Sequence, residues 1–259
     1  GQMMNKYGVK IHFAHRTFKW SNEAKGNAAV YCVIVGFANY DSNNKRIYEY
    51  EDIKGEAHEL KAKNINPYLV DAKDIFIAKR TLPISEVPKM YKGSQPTDGG
   101  NFLFTEEEKV TFLELEPESE KFIKPLISAH EYLNGEKRYC LWLVDAEPSE
   151  LKKLPNLLNR IEGVRQMRLK SSKQATVNWA TKPTLFTENR QPKTNYILVP
   201  SHSSENRTYI PMGFMTKHDI LNNSCLSIPS ATLYHFGVIT SLMHMAWVKY
   251  ICGRLKSDY

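Results

Sequence analysis

The sequence has no apolar run near the length that a membrane span needs, which is roughly 20 residues. Its first residues, GQMMNKYGVK, have no apolar core of the kind that a secretory signal peptide carries. This opening is also unlike a natural start, because a strand pattern begins as early as Val9, so we expect a fragment of a longer protein. These absences predict a cytoplasmic protein with no membrane partner.

Cysteine is scarce and widely spaced. No C-x-x-C pair occurs, and such pairs are typical of metal sites and of redox motifs. Most of the cysteines stand in apolar stretches such as VYCVIV, RYCLWL and YICGRL. We therefore expect buried, reduced thiols, with disulfides or metal ligands as the less favoured alternative. The four cysteines are Cys32, Cys140, Cys225 and Cys252.

The motifs of common enzyme classes are missing as well. No HExxH, GxSxG, Walker loop or G-x-G turn occurs, which leaves no marked nucleophile and no glycine turn for a nucleotide cofactor. His12 and His15 lie three residues apart in a predicted strand, so they face opposite sides. His235 and His244 stand among apolar residues, as core histidines do. The sequence predicts no catalytic residue and no metal site here.

What the chain does have is a basic excess. Lysine and arginine number 35 against 28 acidic residues, which gives a net charge of +7. That charge suits a polyanion such as nucleic acid, although many basic proteins bind none. The length of 259 residues and the hydrophobic content of 42% are typical of one large or two small globular domains.

Two parts of the chain, residues 8–40 and 186–212, have the clearest strand patterns. VKIHFAHRTFKW and AAVYCVIVGFANY predict a hairpin, and the second run is so continuously apolar that we expect it to be buried on both faces. Residues 41–62 are a polar connector with room for one short strand. YILVPS and RTYIPMGF predict a hairpin or a bulged pair. Shorter strand-like pieces are Ile75–Lys79, Phe102–Phe104 and Tyr139–Val144.

Three segments predict helices. Thr105 and Glu108 have the spacing of a capping box. Residues 148–180 form the clearest helix, and its basic side chains suit either a solvated face or a phosphate-contacting one. Residues 230–254 are apolar and predict a core helix from about Ile239. The apolar stripe of the second segment is Leu154, Leu157, Leu158, Ile161 and Val164; its basic residues are Lys152, Lys153, Arg160, Arg165, Arg168, Lys170 and Lys173.

KNINPYLVDA resembles the N-P-P-Y/F loop with which adenine-N6 methyltransferases hold the amino group that they methylate. Asn66, Pro67 and Tyr68 supply only one proline where that loop has two. Because no glycine turn for S-adenosylmethionine is present either, we interpret the stretch as a turn that enters a strand. Asn66 is therefore not expected to be catalytic.

Several blocks, in order along nearly the whole chain, resemble the MmeI-like, or type IIL, restriction-modification enzymes and their YeeA-type relatives. The blocks are HFAHRTFKW, NINPYLVDA, GSQPTDGG, NGEKRYCLWLVDA, PTLFTENRQP, SSENRTYIPMGF and TLYHFGVITSLMHMAWVKYICGRLKSDY. The first hairpin resembles the motif VIII region that closes the catalytic domain of gamma-class adenine-N6 DNA methyltransferases.

The resemblance implies an α+β fold, with a mixed β-sheet target recognition domain and packed helices after the last hairpin of a Rossmann-like methyltransferase core. It assigns residues 1–40 to that hairpin, 41–62 to a connector, 63–250 to the target recognition domain and 251–259 to the start of a C-terminal region. The parent would use S-adenosylmethionine to methylate adenine N6 in double-stranded DNA. This fragment would bind no cofactor, and its partners would be DNA and the parent's methyltransferase core, with or without a nuclease.

Site residues follow from the same resemblance. Phe18 matches the aromatic residue that packs against the flipped adenine, and Trp20 is the fallback. A flipped base loses its stacking neighbours, which an aromatic face partly replaces. The polar residues expected to contact bases or phosphates are Lys92, Ser94, Gln95, Thr97, Asp98, Lys170, Lys173, Arg190, Gln191, Ser203, Glu205, Asn206 and Arg207. The alternative function is a protein-interaction or structural module that binds no DNA.

Overall fold

The computed structural model describes residues 2–20, 30–52, 54–204 and 206–252. It divides the chain into two compact units, one formed by residues 1–85 with 250–258 and the other by residues 86–249 with 259. Helices and mixed sheets occur together, which confirms the predicted α+β class. Among the described residues, no helix is long and apolar enough to cross a membrane.

The first unit contains the elements α1 (Gln2–Tyr7), β1 (Lys10–Trp20), β2 (Val30–Ala38), β3 (Lys45–Glu49) and β4 (His58–Ala62). Its four strands form one sheet with the order β2-β1-β3-β4. β1 pairs antiparallel with β2, which confirms the predicted hairpin, and parallel with β3. The segment 41–62, predicted to have room for one short strand, contributes both β3 and β4 to this sheet.

The expectation that the second strand is buried on both faces is wrong. Val33 and Phe37 in β2 are each 52% exposed, and Ile34 is exposed as well. β2 is the edge strand of its sheet, and the described residues supply no layer over these side chains. A continuous apolar run thus indicates that a strand can pack on both faces. It does not show that the residues that would cover those faces belong to this chain segment.

The elements from residue 86 onward are β5 (Tyr91–Lys92), β6 (Leu103–Phe104), α2 (Glu106–Leu115), β7 (Ile123–Ile127), α3 (Ala129–Asn134), β8 (Tyr139–Leu141), α4 (Pro148–Leu151), α5 (Pro155–Leu169), α6 (Gln174–Asn178), β9 (Tyr196–Pro200), β10 (Gly213–Met215), β11 (Ile220–Leu221), β12 (Cys225–Pro229), α7 (Leu233–Ile239) and α8 (Leu242–Ile251). The strands of the second unit form two further four-stranded sheets, with the orders β10-β9-β12-β5 and β11-β7-β8-β6. The largest core packs α5 against β6, β7 and β8.

The strand predictions for this part of the chain are mixed. β6 and β8 confirm the pieces near residues 103 and 140, whereas Ile75–Lys79 forms no strand. YILVPS forms the fully buried strand β9, and it pairs antiparallel with β10 as predicted. β10 begins only at Gly213, however, because residues 206–212 are not extended in a ladder.

Two of the three helix predictions begin where the structure has a helix, at Glu106 and at Pro148, whereas the predicted start near Ile239 is wrong because α7 begins at Leu233 and α8 at Leu242. The capping box at Thr105 is present, since its side chain accepts from Glu108 N while the Glu108 carboxylate accepts from Thr105 N at 2.8 Å. The expected helix over 148–180 is three shorter helices, with Pro155 opening α5 at a position that proline favours. The apolar stripe of α5 is buried except for Leu158.

The C-terminal segment is helical, but it is not the core helix that we expected. Leu233, Leu242 and Met243 are exposed in α7 and α8, and Met245 and Val248 are the buried residues of α8. Its apolar composition does not by itself place it in the interior, because apolar side chains also make up much of any protein surface.

The cysteines are free. Cys140 and Cys225 are buried as expected, and burial raises the pKa of the Cys225 thiol to about 12, which keeps it protonated and unreactive. Cys32 is half-buried, and Cys252 is exposed, which corrects the expectation of burial for that residue.

A buried carboxylate starts helix α5. Glu116 accepts hydrogen bonds from Asn156 N at 2.7 Å, from Leu157 N at 3.0 Å and from Ser119 Oγ at 2.7 Å. The first amide groups of a helix lack partners within it, and the helix dipole favours a negative charge there. Glu116 therefore caps α5 from a position 39 residues before the helix begins.

We expect Glu116→Ala to lower the free energy of unfolding by about 2–4 kcal/mol, because it leaves buried donors unpaired. Urea denaturation would measure the loss. The matched control is Glu118→Ala, which removes an exposed carboxylate two residues away and should change stability by no more than about 0.5 kcal/mol. Equal effects of the two variants would contradict the capping role.

Candidate nucleic-acid interface

The polar loop 92–98 is joined to the segment 187–191 by backbone and side-chain bonds. Gln95 and Glu188 exchange backbone hydrogen bonds, with N to O distances of 2.9 and 3.2 Å. The Thr97 hydroxyl lies 2.8 Å from the Thr187 hydroxyl. The structure thus brings the predicted residues of loop 92–98 beside the segment that carries the predicted residues Arg190 and Gln191.

The predicted residues of this loop differ in how far their side chains are exposed. Lys92 is exposed, and Gln95 and Thr97 are partly exposed. Ser94 is fully buried and its hydroxyl accepts from Arg190 N at 3.0 Å. Asp98 is buried too, and its Oδ2 accepts from Phe102 N at 2.7 Å. In this conformation Ser94 and Asp98 fix the loop, and the other three side chains face solvent at least in part.

The loop also depends on a glycine. A Cβ atom at Gly93 would clash with the backbone carbonyl of Asn222, which lies in the turn between β11 and β12. The same turn contacts the loop through Asn223 Nδ2, which donates to Gln95 Oε1 at 3.2 Å. Gly93 therefore permits the close approach of two backbones.

Arg190 and Gln191 differ in their surroundings. Arg190 is exposed and pairs with Glu188 at 3.0 Å, an interaction that water screens strongly. Gln191 binds backbone instead: its Nε2 donates to Asp219 O at 2.7 Å, and its Oε1 accepts from Leu221 N at 2.9 Å. Arg190 is available to a ligand, whereas Gln191 holds β11 in place.

The remaining predicted set, Ser203, Glu205, Asn206 and Arg207, was predicted together with Arg190 and Gln191, but it follows β9. Ser203 is buried and its hydroxyl has no hydrogen-bond partner among the described residues. Asn206 is exposed, Arg207 is half-buried, and Arg207 N donates to Ser204 O at 3.1 Å. Glu205 lies outside the described residues. No hydrogen bond between described residues connects this set to the loop at 92–98.

Lys170 and Lys173 are exposed at and just beyond the end of α5. Two arginines of the same basic segment are not. Arg160 packs 3.9 Å over the Phe104 ring and donates to the carbonyls of Asn101 and Leu103, while Arg168 is fully buried. Only part of the positive charge of this segment is therefore on the surface, where it can face water or contact phosphates. The charges of Arg160 and Arg168 serve contacts within the protein.

Arg168 was missed as an important residue, although the sequence carries a signal for it. Its spacing from Ile161 and Val164 continues the apolar stripe of α5, so it falls on the buried face of the helix. Burial lowers the pKa of this guanidinium, and the charge of Asp98 opposes that effect. An arginine remains protonated under such conditions.

Phe18 lies in a group of aromatic side chains in the first unit. Its ring stacks on Tyr50 at a centroid distance of 5.3 Å and 25°, and it is paired with Cys32 across the hairpin. His15 Nδ1 is 2.8 Å from the Tyr50 hydroxyl, which fixes the ring behind Phe18. Trp20 lies 6.2 Å from Phe18 and is half-exposed.

Asn66 lies in a turn. It is buried, and its Oδ1 accepts from Tyr68 N at 2.9 Å and from Val70 N at 3.3 Å. Leu69 has a φ of 60°, a left-handed conformation that the turn imposes. The turn is as predicted, but no strand follows it; Asp71 makes only an isolated bridge to Ile65.

The described residues hold no cluster of three or more metal-binding side chains. His235 Nδ1 accepts from Thr232 N at 3.0 Å at the start of α7, and His244 Nδ1 in α8 lies 2.6 Å from Ile239 O at the end of α7, so both histidines have local structural partners. Gly99 and Gly100 have positive φ in the turn that Asp98 caps, and this turn precedes the short antiparallel strand β6. It therefore does not fit S-adenosylmethionine, because a nucleotide cofactor is seated by a glycine turn that leads from a parallel strand into a helix.

Comparison with known proteins places this arrangement in a family. The family model for the MmeI target recognition domain matches residues 71–259, and that for the MmeI DNA-methyltransferase domain matches residues 2–49. The chain belongs to the MmeI target recognition domain family. It therefore carries a target recognition domain that follows the end of a DNA-methyltransferase domain. The predicted boundaries at residues 40, 62 and 250 stay predictions.

Two relatives support the assignment. The chain is 43% identical over 256 residues to DNA methyltransferase A of Bacillus subtilis (strain 168), covering 98% of this chain and 28% of that protein. A solved structure of the type IIL restriction-modification enzyme MmeI in complex with DNA is 50% identical, with a TM-score of 0.86 over 97% of this chain. The chain spans about a third of that enzyme's length.

The geometry of the turn predicts how Asn66 can be replaced. Asn66→Ala should lower the free energy of unfolding by about 1–2 kcal/mol, because two backbone amides lose their acceptor. Asn66→Asp keeps an acceptor oxygen, and such turns accept either residue, so it should lose less than half as much. Thermal unfolding of both variants would show the order. If Asn66→Asp costs as much as Asn66→Ala, the acceptor role is wrong.

Proposed function

We propose that this chain reads the sequence of double-stranded DNA for a cytoplasmic, site-specific adenine-N6 DNA methyltransferase of which it is a part. The observation that carries the proposal is the joined polar surface of the second unit. Loop 92–98 and segment 187–191 come from distant parts of the chain, yet direct backbone bonds hold them side by side. Base readout needs such side chains on a surface whose backbone is already fixed.

The contacts divide the predicted residues into two groups. Those proposed to touch DNA directly are Lys92, Gln95, Thr97, Lys170, Lys173, Arg190, Asn206 and Arg207, all of which have exposed surface. Ser94, Asp98, Gln191 and Ser203 are proposed to hold the loops that present them. Glu205 remains a predicted contact outside the described residues.

The parent's chemistry belongs to the same proposal. The parent would transfer a methyl group from S-adenosylmethionine to adenine N6, with the cofactor and the N-P-P-Y/F loop supplied by its methyltransferase core. Phe18 would stack on the flipped adenine. Tyr50 stacks on one face of the Phe18 ring, so the base would take the other. This chain alone is proposed to be non-catalytic, and a nuclease belongs to the parent only if the parent cleaves DNA.

The alternative is a module that binds proteins and not DNA. Exposed apolar side chains on α7 and α8, such as Leu233 and Met243, would suit a protein partner. The family assignment favours DNA, and a surface for protein contacts is compatible with a domain that works within a larger enzyme. The two functions differ in their response to salt.

We expect this chain to bind duplex DNA with an affinity that falls steeply as salt rises, because phosphate contacts release counterions. Lys170→Ala with Arg207→Ala should reduce the slope of log K against log salt by about 2. Fluorescence anisotropy of a labelled duplex over a salt series would measure the slope.

The matched control removes the same charge elsewhere. Lys152→Ala with Lys153→Ala takes two exposed lysines from the connection between α4 and α5, before the other end of α5, and should leave the slope unchanged. An equal fall in both double variants would mean that only net charge matters. A wild-type chain that binds no duplex even at low salt would count against DNA reading by this chain.

The role of Phe18 can be tested in the full-length parent. Phe18→Leu should slow methyl transfer on the order of tenfold to a hundredfold, because base–aromatic stacking is worth about 1–3 kcal/mol. Phe18→Tyr keeps the aromatic face and should retain most activity. Single-turnover methylation would measure both, and Trp20→Leu would test the fallback. A Phe18→Leu enzyme with the wild-type rate would exclude the stacking role.

A further inference from the structure

Arg168 is the largest fully buried side chain among the described residues. Each of its N–H groups donates to a backbone carbonyl. Nε binds Thr97 O at 3.0 Å; the two terminal nitrogens bind the carbonyls of Trp179, Lys182, Pro96 and Leu185, at 3.1, 2.9, 3.0 and 2.7 Å. A guanidinium has five N–H donors, so this side chain is saturated.

The five carbonyls come from two segments. Pro96 and Thr97 belong to the loop that presents Gln95, and the other three carbonyls belong to the segment that leads into 187–191. Arg168 itself is in the last turn of α5, two residues before Lys170. One side chain therefore connects three of the stretches that we propose to contact DNA.

The loop conformation needs such a connection. Thr97 has a φ of 46°, in the left-handed region that a β-branched residue rarely adopts. A residue is held there only when its surroundings fix it from several sides. The Thr97 carbonyl is held by Arg168 and its hydroxyl by Thr187, so the strained residue is fixed on both sides.

No lysine could replace this guanidinium. An ammonium group has three donors around one point, whereas the carbonyls here surround a planar fork. No carboxylate of a described residue hydrogen-bonds to Arg168; its charge is balanced by carbonyl dipoles, with Asp98 acting at longer range. The hydrogen-bond partners of Arg168 are thus the backbones of the two segments. A replacement with fewer N–H donors would leave some of these carbonyls without a partner and free the segments to move.

We infer that Arg168 is a positioning residue for sequence readout, which holds loop 92–98 and segment 179–191 in the one arrangement that presents their side chains to base edges. The inference rests on the proposed function. Two properties of DNA binding are thereby separated. Phosphate affinity comes from exposed lysine and arginine side chains, to which Arg168 makes no bond. Discrimination between sequences depends on the geometry of the loops that Arg168 holds.

The test compares Arg168→Lys with Arg160→Lys. Both replacements keep the positive charge, and both remove guanidinium bonds to backbone carbonyls from the same helix. Arg160 binds the carbonyls of Asn101 and Leu103 and makes no hydrogen bond to a described residue of either segment. Arg160→Lys is therefore the control for general loss of stability, and all measurements are made at a temperature where both variants remain folded.

The first measurement is amide hydrogen exchange without DNA. The amides of Gln95, Leu185 and Glu188 are hydrogen-bonded within the two segments. Arg168→Lys should speed their exchange together by on the order of tenfold or more, as expected when a local unit opens. Arg160→Lys should leave them at the wild-type rate. Unchanged exchange in Arg168→Lys would overturn the inference directly.

The second measurement selects bound sequences from a random duplex pool. Wild type and Arg160→Lys should enrich the same motif. Arg168→Lys should bind the unselected pool equally well, with the same salt slope, but its enrichment should fall by on the order of tenfold at one or more positions. An Arg168→Lys motif identical to wild type would leave Arg168 a purely structural residue and overturn the inference.

The two experiments also separate the inference from the function on which it rests. A wild-type chain that enriches no motif contradicts DNA reading itself, whatever the exchange rates. A wild-type motif that survives in Arg168→Lys, with faster exchange in the two segments, contradicts only the positioning role.

Discussion

One buried positive charge joins loop 92–98, the segment 179–191 and the end of α5 in the second unit. Burying an arginine is costly unless all its donors are paired, and Arg168 meets that condition with five backbone carbonyls. Those carbonyls can converge only if two segments and the end of α5 have their observed arrangement. The cost of an unpaired buried charge therefore specifies the arrangement, since most other arrangements would leave donors without partners.

Helix α5 is fixed at both ends by buried charges of opposite sign. Glu116 accepts from its first amides, and Arg168 lies in its last turn. Each sign is the one that the helix dipole favours at that end. Between them, Leu157, Ile161 and Val164 bury the apolar face against the core. The buried charges at its ends fix the position of the helix along its axis, and the apolar face fixes its rotation about that axis. Together they determine where Lys170 and Lys173 lie on the surface.

Sequence patterns correctly predicted the features that depend on residues close together in the chain. The capping box at Thr105, the first hairpin and the turn at Asn66 were predicted because each depends on residues close together in the chain. The continuous apolar runs in β2 and α8 were misjudged, because burial depends on what covers a side chain. The cap at Glu116 also escaped notice, since its partners lie 40 residues away. Candidate residues were chosen by type, and type alone does not separate exposed Arg190 from saturated Arg168.

The division between holding and presenting residues bears on how specificity can change within such a domain. Gln95 and Glu188 are joined through backbone atoms, so their bridge survives a change of either side chain. Arg168 likewise binds carbonyls, which every residue type provides. Gly93 and the strained Thr97 are different, because the backbone itself restricts what can replace them. A surface held by backbone contacts can exchange the side chains that we propose to face DNA while its loops keep their shape, whereas a surface held by side-chain pairs would lose that shape with each exchange.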